Sequence, residues 1–351
     1  MKRVLVARLD SLGDVLLAGP AVRAVAHGQA DGPREVWLLC GPQGAAAAYR
    51  LPGVARVLVW NCPWINDPAP ALSAAVVAEL SAMVQECRPD EAVILTSFHQ
   101  SPLPLALLLR LDGVPRVTGA SVDFAGSLLD VRLRPGEDFV EDQPEPLRAL
   151  TIAASAGYHL PAGDRGALAV RPGPDVSGLT GSGSYVVVHP GAAVPSRAWP
   201  VDNAAASVSA LASVGLRVLV TGGPGERELT ARVAGSDGCD LGGLTDVAAL
   251  TSVLAGADVT ITGNTGPAHL SAAVGTPVVS LFSPVVPAVR WAPYGVPVAL
   301  LGDQDAPCRG TRARVCPVPG HPCLTSVTPQ DVTQACLRLI ASPRPDPLPC
   351  A

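Results

Sequence analysis

Lysine is nearly absent: Lys2 is the only one in 351 residues, and the rest of the 25 basic side chains are arginines. Lysine Schiff-base chemistry is therefore excluded everywhere but at Lys2. Any bound anion must be held by Arg, His or backbone N–H groups. Charge is also scarce, at 16% of residues, with a net charge of -5. That balance gives no electrostatic ground for binding nucleic acid. The 48% hydrophobic content excludes a disordered chain. No uninterrupted apolar run approaches the ~18 residues that a membrane-spanning helix needs. Arg8, Asp10 and Asp14 break the apolar run behind Lys2 and Arg3 well short of a signal core. The chain is read as cytoplasmic, with at most peripheral membrane contact, and its nine cysteines as thiols. Cys308, Cys316 and Cys323 cluster near His321, but their spacing does not match a zinc ribbon or knuckle. They are expected to be loop thiols, and no metal is expected.

The most telling stretch that is present runs Thr262-Gly263-Asn264-Thr265-Gly266-Pro267-Ala268-His269. An apolar strand pattern enters it, and an Ala-rich helical pattern leaves it. Gly275-Thr276-Pro277 and a second apolar strand follow. A turn of this kind sets backbone donors, a hydroxyl, an amide and an imidazole at a helix N-terminus, which suits a phosphate. Pro267 fits the first helical turn, where its missing N–H costs nothing. The same pattern also fits an ordinary strand–helix turn with an Asn or Thr cap.

Length predicts two domains of ~150 residues each, and the pattern divides accordingly. Strands are expected at residues 3–7, 35–39, 54–60, 91–96 and 116–119, with helices at 15–27, 44–49, 71–87 and 102–111 between them. A Gly-, Pro- and Ser-rich stretch then reads as a linker. The second half repeats the alternation, with strands at 185–189, 216–221, 258–261 and 278–282. Helices are expected at 202–214, from 226, and at 247–255. A last helix is expected at 329–340, then a loose tail. Strands alternating with helices imply parallel sheets covered on both faces. The predicted architecture is α/β, two doubly wound domains with a cleft between them: residues 1–165, a linker 166–184, residues 185–328, and a C-terminal helix and tail 329–351.

Ligands of such sheets bind beyond the carboxyl ends of the strands. The turns after residues 189, 221 and 261 are therefore expected to converge. Arg197, a few residues after the first of these turns, suits a pyrophosphate clamp or an ordinary solvated loop. Glu226 suits ribose hydroxyls or simply a favourable charge at a helix N-terminus. Asp14, directly after Gly13, suits a general base or a helix cap. The Leu12-Gly13 turn allows close approach of substrate.

Together these residues resemble a known family. Arg8-Leu9-Asp10-Ser11-Leu12-Gly13-Asp14-Val15-Leu16, with Pro20-Ala21 behind, is similar to the N-terminal signature of glycosyltransferase family 9, the ADP-heptose:lipopolysaccharide heptosyltransferases. His189-Pro190-Gly191 with Arg197-Ala198-Trp199-Pro200, Gly222-Gly223-Pro224-Gly225-Glu226, Gly266-Pro267-Ala268-His269 and Leu281-Phe282-Ser283-Pro284 through Gly295 resemble the later blocks in order. The resemblance covers about residues 3–340.

It implies a GT-B fold, two Rossmann-like domains facing an interdomain cleft, and an inverting, metal-independent transfer from a nucleotide-diphosphate sugar. It implies no cofactor beyond that co-substrate. Heptose from ADP-heptose would pass to a hydroxyl of a glycan or natural-product acceptor. Asp14 matches the general base, and Arg197 the basic residue for the donor phosphates. Gly13, Gly191, Glu226, Asn264, Thr265, Gly266 and His269 match donor-binding positions. The last helix would cross back to the first domain. The chain departs from the family at Gly263-Asn264, where Asn-Asp is usual: an amide replaces a carboxylate facing donor hydroxyls. The alternatives are a GT-B-fold UDP-sugar epimerase, a non-catalytic GT-B binding protein and an NAD-dependent oxidoreductase. Gly222-Gly223-Pro224-Gly225 is a poor match to the dinucleotide fingerprint of the last.

Overall fold

The computed structural model of the chain describes residues 1–29, 32–66 and 68–342. The chain divides into two compact units, Met1–Arg171 and Pro172–Ala351, and the division falls inside the Gly/Pro/Ser-rich stretch.

The first unit runs β1 (Arg3–Arg8), α1 (Leu12–Leu17), α2 (Gly19–His27), β2 (Glu35–Cys40), α3 (Ala45–Ala48), β3 (Val54–Val59), α4 (Ala74–Cys87), β4 (Glu91–Ile94), α5 (Leu103–Leu111), β5 (Val117–Ala120), β6 (Val131–Leu133) and α6 (Glu145–Ser155). Its sheet is ordered β3-β2-β1-β4-β5-β6, every pair parallel. Central strands β1 and β2 are buried from their second residue on, because helices cover both faces. The single helix expected at 15–27 is two: α1 starts three residues earlier, and the chain breaks at Ala18, just before Pro20. Strand β6 and helix α6 carry no obvious pattern. β6 is a half-buried three-residue edge, and α6 begins among prolines, with Pro144 as cap and Pro146 in the first turn, where proline is tolerated.

The second unit runs α7 (Ser177–Thr180), β7 (Val186–His189), α8 (Val201–Ser213), β8 (Val218–Val220), α9 (Arg227–Ala234), β9 (Gly238–Asp240), α10 (Val247–Ala255), β10 (Thr260–Gly263), α11 (Gly266–Ala273), β11 (Val278–Leu281), α12 (Ala288–Trp291), β12 (Val298–Leu301), α13 (Pro322–Thr325) and α14 (Pro329–Ala341). Its sheet, β12-β11-β10-β7-β8-β9, is again all parallel. In both sheets the first strand of the unit lies at the centre, with the second and third on one side and the fourth to sixth on the other. This is the doubly wound order of a dinucleotide-type fold.

Helix α14, expected to cross back to the first half, buries Val332, Ala335, Cys336 and Leu339 in the second unit's own core, among Val208, Leu211 and Val279. Thr328 caps it: its hydroxyl accepts from Asp331 N–H at 3.2 Å, and the Asp331 carboxylate accepts from Thr328 N–H at 2.9 Å. The tail expected after it, 343–351, lies outside the described residues. If α14 is part of this core, Leu339→Ala should cost about 2–5 kcal/mol. Urea unfolding followed by circular dichroism measures it, and a loss under about 0.5 kcal/mol would mean that the helix is not part of it.

Candidate functional site

In the first unit, the carboxyl ends of neighbouring strands β1 and β4 carry a buried polar cluster. Arg8 ends β1 with its side chain 2% exposed. A charge so deep needs partners, and it has three. Its Nε meets Asp10 Oδ2 at 2.8 Å, Nη2 meets Asp14 Oδ1 at 3.1 Å, and both terminal nitrogens reach Glu145 Oε2 at 3.4 Å. Arg8 Nη2 also donates to Ser97 Oγ at 2.7 Å, just past β4. Burial disfavours the guanidinium charge, but Asp10, Asp14 and Glu145 outweigh it and hold the pKa above its ordinary value. Burial raises the carboxyl pKa of Glu145, against the pull of Arg8 and Arg148. It raises that of Asp10 likewise, against Arg8 and with repulsion from Asp14.

Asp14 lies in the first turn of α1, next to buried Gly13. The cap position belongs to Ser11, whose hydroxyl donates to Asp14 Oδ2 at 2.7 Å. Capping therefore does not account for Asp14. Its side chain is 22% exposed, against 13% for Asp10 and 2% for Glu145. Of the three carboxylates it is the most exposed to solvent. Sequence reasoning missed Glu145, Ser97 and Gln100, whose amide donates to Asp10.

In the second unit, the turns after β7, β8 and β10 do converge. His189 ends β7 in register with Thr262 on β10, and its Nδ1 lies 3.0 Å from Thr221 Oγ1 beyond β8. Burial holds the His189 imidazole below its usual pKa, opposed by the Glu226 carboxylate. Gly191 is required for close approach: a Cβ there would sit 2.0 Å from Glu226 Oε1. Glu226 Oε2 accepts from Gly223 N–H at 2.7 Å, so the carboxylate lies between two glycine turns.

Thr265 precedes α11 in extended conformation, and its side chain does not close the first turn. It lies 3.3 Å from Thr262 Oγ1 instead. Gly266 thus opens a helix whose N-terminal donors are not covered by a side-chain cap. Asn264 is 4% exposed, and its buried Nδ2 has no hydrogen-bond partner among the described residues. His269 is buried within α11. Arg197 ends a tight turn, Pro195–Arg197, whose carbonyl packs on Gly263 and whose Ser196 N–H donates to Arg314 O at 3.0 Å. The segment carrying Arg197 is thereby held against the end of β10. Of the residues expected to bind donor, Gly191, Glu226, Asn264, Thr265, Gly266 and His269 share this edge of the second unit, while Gly13 lies beside Asp14 in the first.

Cys308, Cys316 and Cys323 are free thiols that lie against one another. Burial pushes the Cys323 thiol up to about 11. Among the described residues no group of three or more His, Cys, Asp or Glu is placed to hold a metal ion. No helix among them is long and apolar enough to cross a membrane.

Residues 147–321 match the model of glycosyltransferase family 9 (heptosyltransferase); the match begins after the Arg8–Leu16 block. Lipopolysaccharide heptosyltransferase 3 of Escherichia coli is 30% identical over 117 residues, 32% of this chain and 34% of that protein, so the aligned stretch spans about a third of the relative. A family 9 glycosyl transferase from Veillonella parvula has the same fold, with a TM-score of 0.77, 16% identity and 97% of both chains covered. The ADP-heptose lipopolysaccharide heptosyltransferase II of Escherichia coli gives a TM-score of 0.71 at 18% identity over 97% of this chain and 98% of that one.

The Gly191–Glu226 packing makes a prediction. The far end of a flexible side chain is what a Cβ would displace, so Gly191→Ala should fold normally but push Glu226 off Gly223. If Glu226 helps bind a nucleoside diphosphate, calorimetric titration with ADP should show about tenfold weaker binding, the lower end for one charged hydrogen bond. Unchanged affinity would remove Glu226 from the site.

Proposed function

We propose that the chain, whose residues 147–321 match the model of glycosyltransferase family 9, acts as a member of that family and transfers a sugar, heptose from ADP-heptose, to a hydroxyl of a glycan or natural-product acceptor, with inversion. The observation that carries the reading is the uncapped N-terminus of α11 beside Asn264, at the strand ends that also present His189 and Gly191. That edge offers backbone donors and a neutral imidazole, surroundings suited to a diphosphate. Likeness to a structure described as an ADP-heptose transferase supports the choice of donor.

The acceptor O–H gives its proton to the Asp14 carboxylate, and the oxygen pair forms a bond to the anomeric carbon. The bond from that carbon to the diphosphate oxygen breaks on the opposite face, and its pair leaves on the diphosphate. Arg197 and the α11 N-terminus hold the charge that builds there. In this reading no cation is needed.

The base is tested with the assay run in EDTA. Asp14→Asn should retain the fold and ADP binding but lose ~10²-fold or more in turnover at saturation. Near-normal turnover would sink the assignment. Activity in the wild type that vanishes with EDTA and returns with Mg²⁺ would sink the cation-free mechanism.

The donor residues separate by size of effect. Arg197 is proposed to meet charge that grows in the transition state, so Arg197→Ala should lose ~2–4 kcal/mol in kcat/KM. Asn264 is proposed to meet neutral hydroxyls, so Asn264→Ala should lose only ~0.5–1.5 kcal/mol. Asn264→Asp restores the family's usual carboxylate and should preserve or improve use of ADP-heptose. A fall for ADP-heptose alongside a gain for another nucleotide sugar would assign a different donor. An Arg197→Ala enzyme as active as wild type on every donor would remove Arg197 from the mechanism.

A further inference from the structure

Three carboxylates surround one buried guanidinium at the end of β1, and one of them, Glu145 at the start of α6, lies outside the sequence blocks that resemble the family. Its side chain is 2% exposed, and Oε2 takes hydrogen bonds from both terminal nitrogens of Arg8 at 3.4 Å and from Ser97 Oγ at 3.3 Å. The same Arg8 Nη2 donates to Asp14 Oδ1 at 3.1 Å. Glu145 therefore acts on Asp14 through a shared donor, without touching it.

The charge count gives this contact its consequence. A carboxylate facing one arginine alone is held ionised, its pKa depressed by about 1–3 units, and is a poor proton acceptor. Here Arg8 is divided among Asp10, Asp14 and Glu145. The other nearby cation, Arg148, donates to Glu141 at 3.3 Å and to the Thr96 carbonyl. The cluster carries a surplus of negative charge, and burial with mutual repulsion raises the pKa of both Asp10 and Glu145. Gln100 is neutral, and exposed His99 lies edge-to-face against Phe98. Of the other helices against α1, α3 carries no charge. On α2, Arg23 is bound to Asp164 and His27 is exposed.

Resting on the reading of Asp14 as the base, we propose that Glu145 is a positioning residue: through Arg8 it fixes the Asp14 carboxylate and keeps it able to take up a proton. The division of roles follows from exposure. Glu145 is sealed off and supplies charge and geometry, whereas Asp14, the most accessible of the three, meets the substrate.

Glu145→Gln tests this, because the amide oxygen still accepts from Arg8 and Ser97 while the charge is gone. Arg8 then bears more fully on Asp14. With ADP-heptose as donor and water as acceptor, read by ADP release, the acid limb of the kcat profile should move to lower pH by roughly one unit. The kcat at neutral pH should fall about three- to tenfold, with the KM for ADP-heptose unchanged. Glu145→Asp, which restores the charge, should return the limb toward the wild-type position. A carbon-13 titration of aspartate-labelled protein reads the same shift at Asp14 without turnover, its signal assigned by its loss in Asp14→Asn. A folded Glu145→Gln protein whose acid limb and Asp14 titration overlay those of the wild type overturns the proposal. If Asp14→Asn is inactive in that same series, the base assignment stands and only the role of Glu145 falls. An active Asp14→Asn enzyme removes both.

Discussion

The rest of the structure depends on one topological constraint: strand order reverses beside the first strand of each sheet. Parallel strands are joined by right-handed crossovers. Helices that connect strands on one side of β1 therefore cover the opposite face from those on its other side, and the same holds around β7. Between β1 and β4, and between β7 and β10, successive connections leave in opposite directions and open a crevice at the carboxyl edge. Side chains there escape the close packing that governs the sheet centre. Arg8, Asp14 and Ser97 sit at one reversal; His189, Gly191, Asn264 and Thr265 sit at the other.

The two reversals are filled with different chemistry. The first holds full charges, one arginine against three carboxylates, tied by side-chain bonds from four elements. The second is built from hydroxyls, an amide, an imidazole whose pKa burial lowers, and a helix start. A surplus of negative charge suits proton uptake, and neutral donors with a positive dipole end suit an anion. On the proposed reading the acceptor hydroxyl meets the first kind of surface and the donor diphosphate the second.

Local pattern made part of this legible. Residues 3–7 read as a buried strand because both faces of a central parallel strand are apolar. The turn 262–269 read as a phosphate-type helix start because Gly266 and Pro267 are what such a start requires. Asp14 stood out by following Gly13 at the end of the first strand. The rest depended on contacts that a linear pattern does not carry. Edge strands β6 and β9 are short and partly exposed, so no apolar run marks them. Helix α6 hides among prolines, and its Glu145 reads as one more acidic residue in a polar stretch. That Glu145 reaches Arg8, 137 positions away, follows from folding alone. The bond between His189 and Thr221 is likewise a product of strand order. The last helix was recognised, but the core it joins was not, because an amphipathic face does not name its partner.

The buried cluster is also a poor investment if stability is its only purpose. Taking ions out of water costs several kcal/mol each, and well-packed apolar residues of the same volume often do as well or better. Geometry explains what the apolar alternative would lack. Asp14 and Glu145 each occupy the first turn of a helix, α1 and α6, where the positive end of the dipole favours a carboxylate. Arg8, at the end of a strand, reaches both. One guanidinium thus fixes the starts of two helices relative to the sheet while leaving Asp14 the most accessible of its carboxylate partners. A hydrophobic side chain at position 8 would pack, but it would hold neither helix start in register nor leave a proton acceptor at the edge.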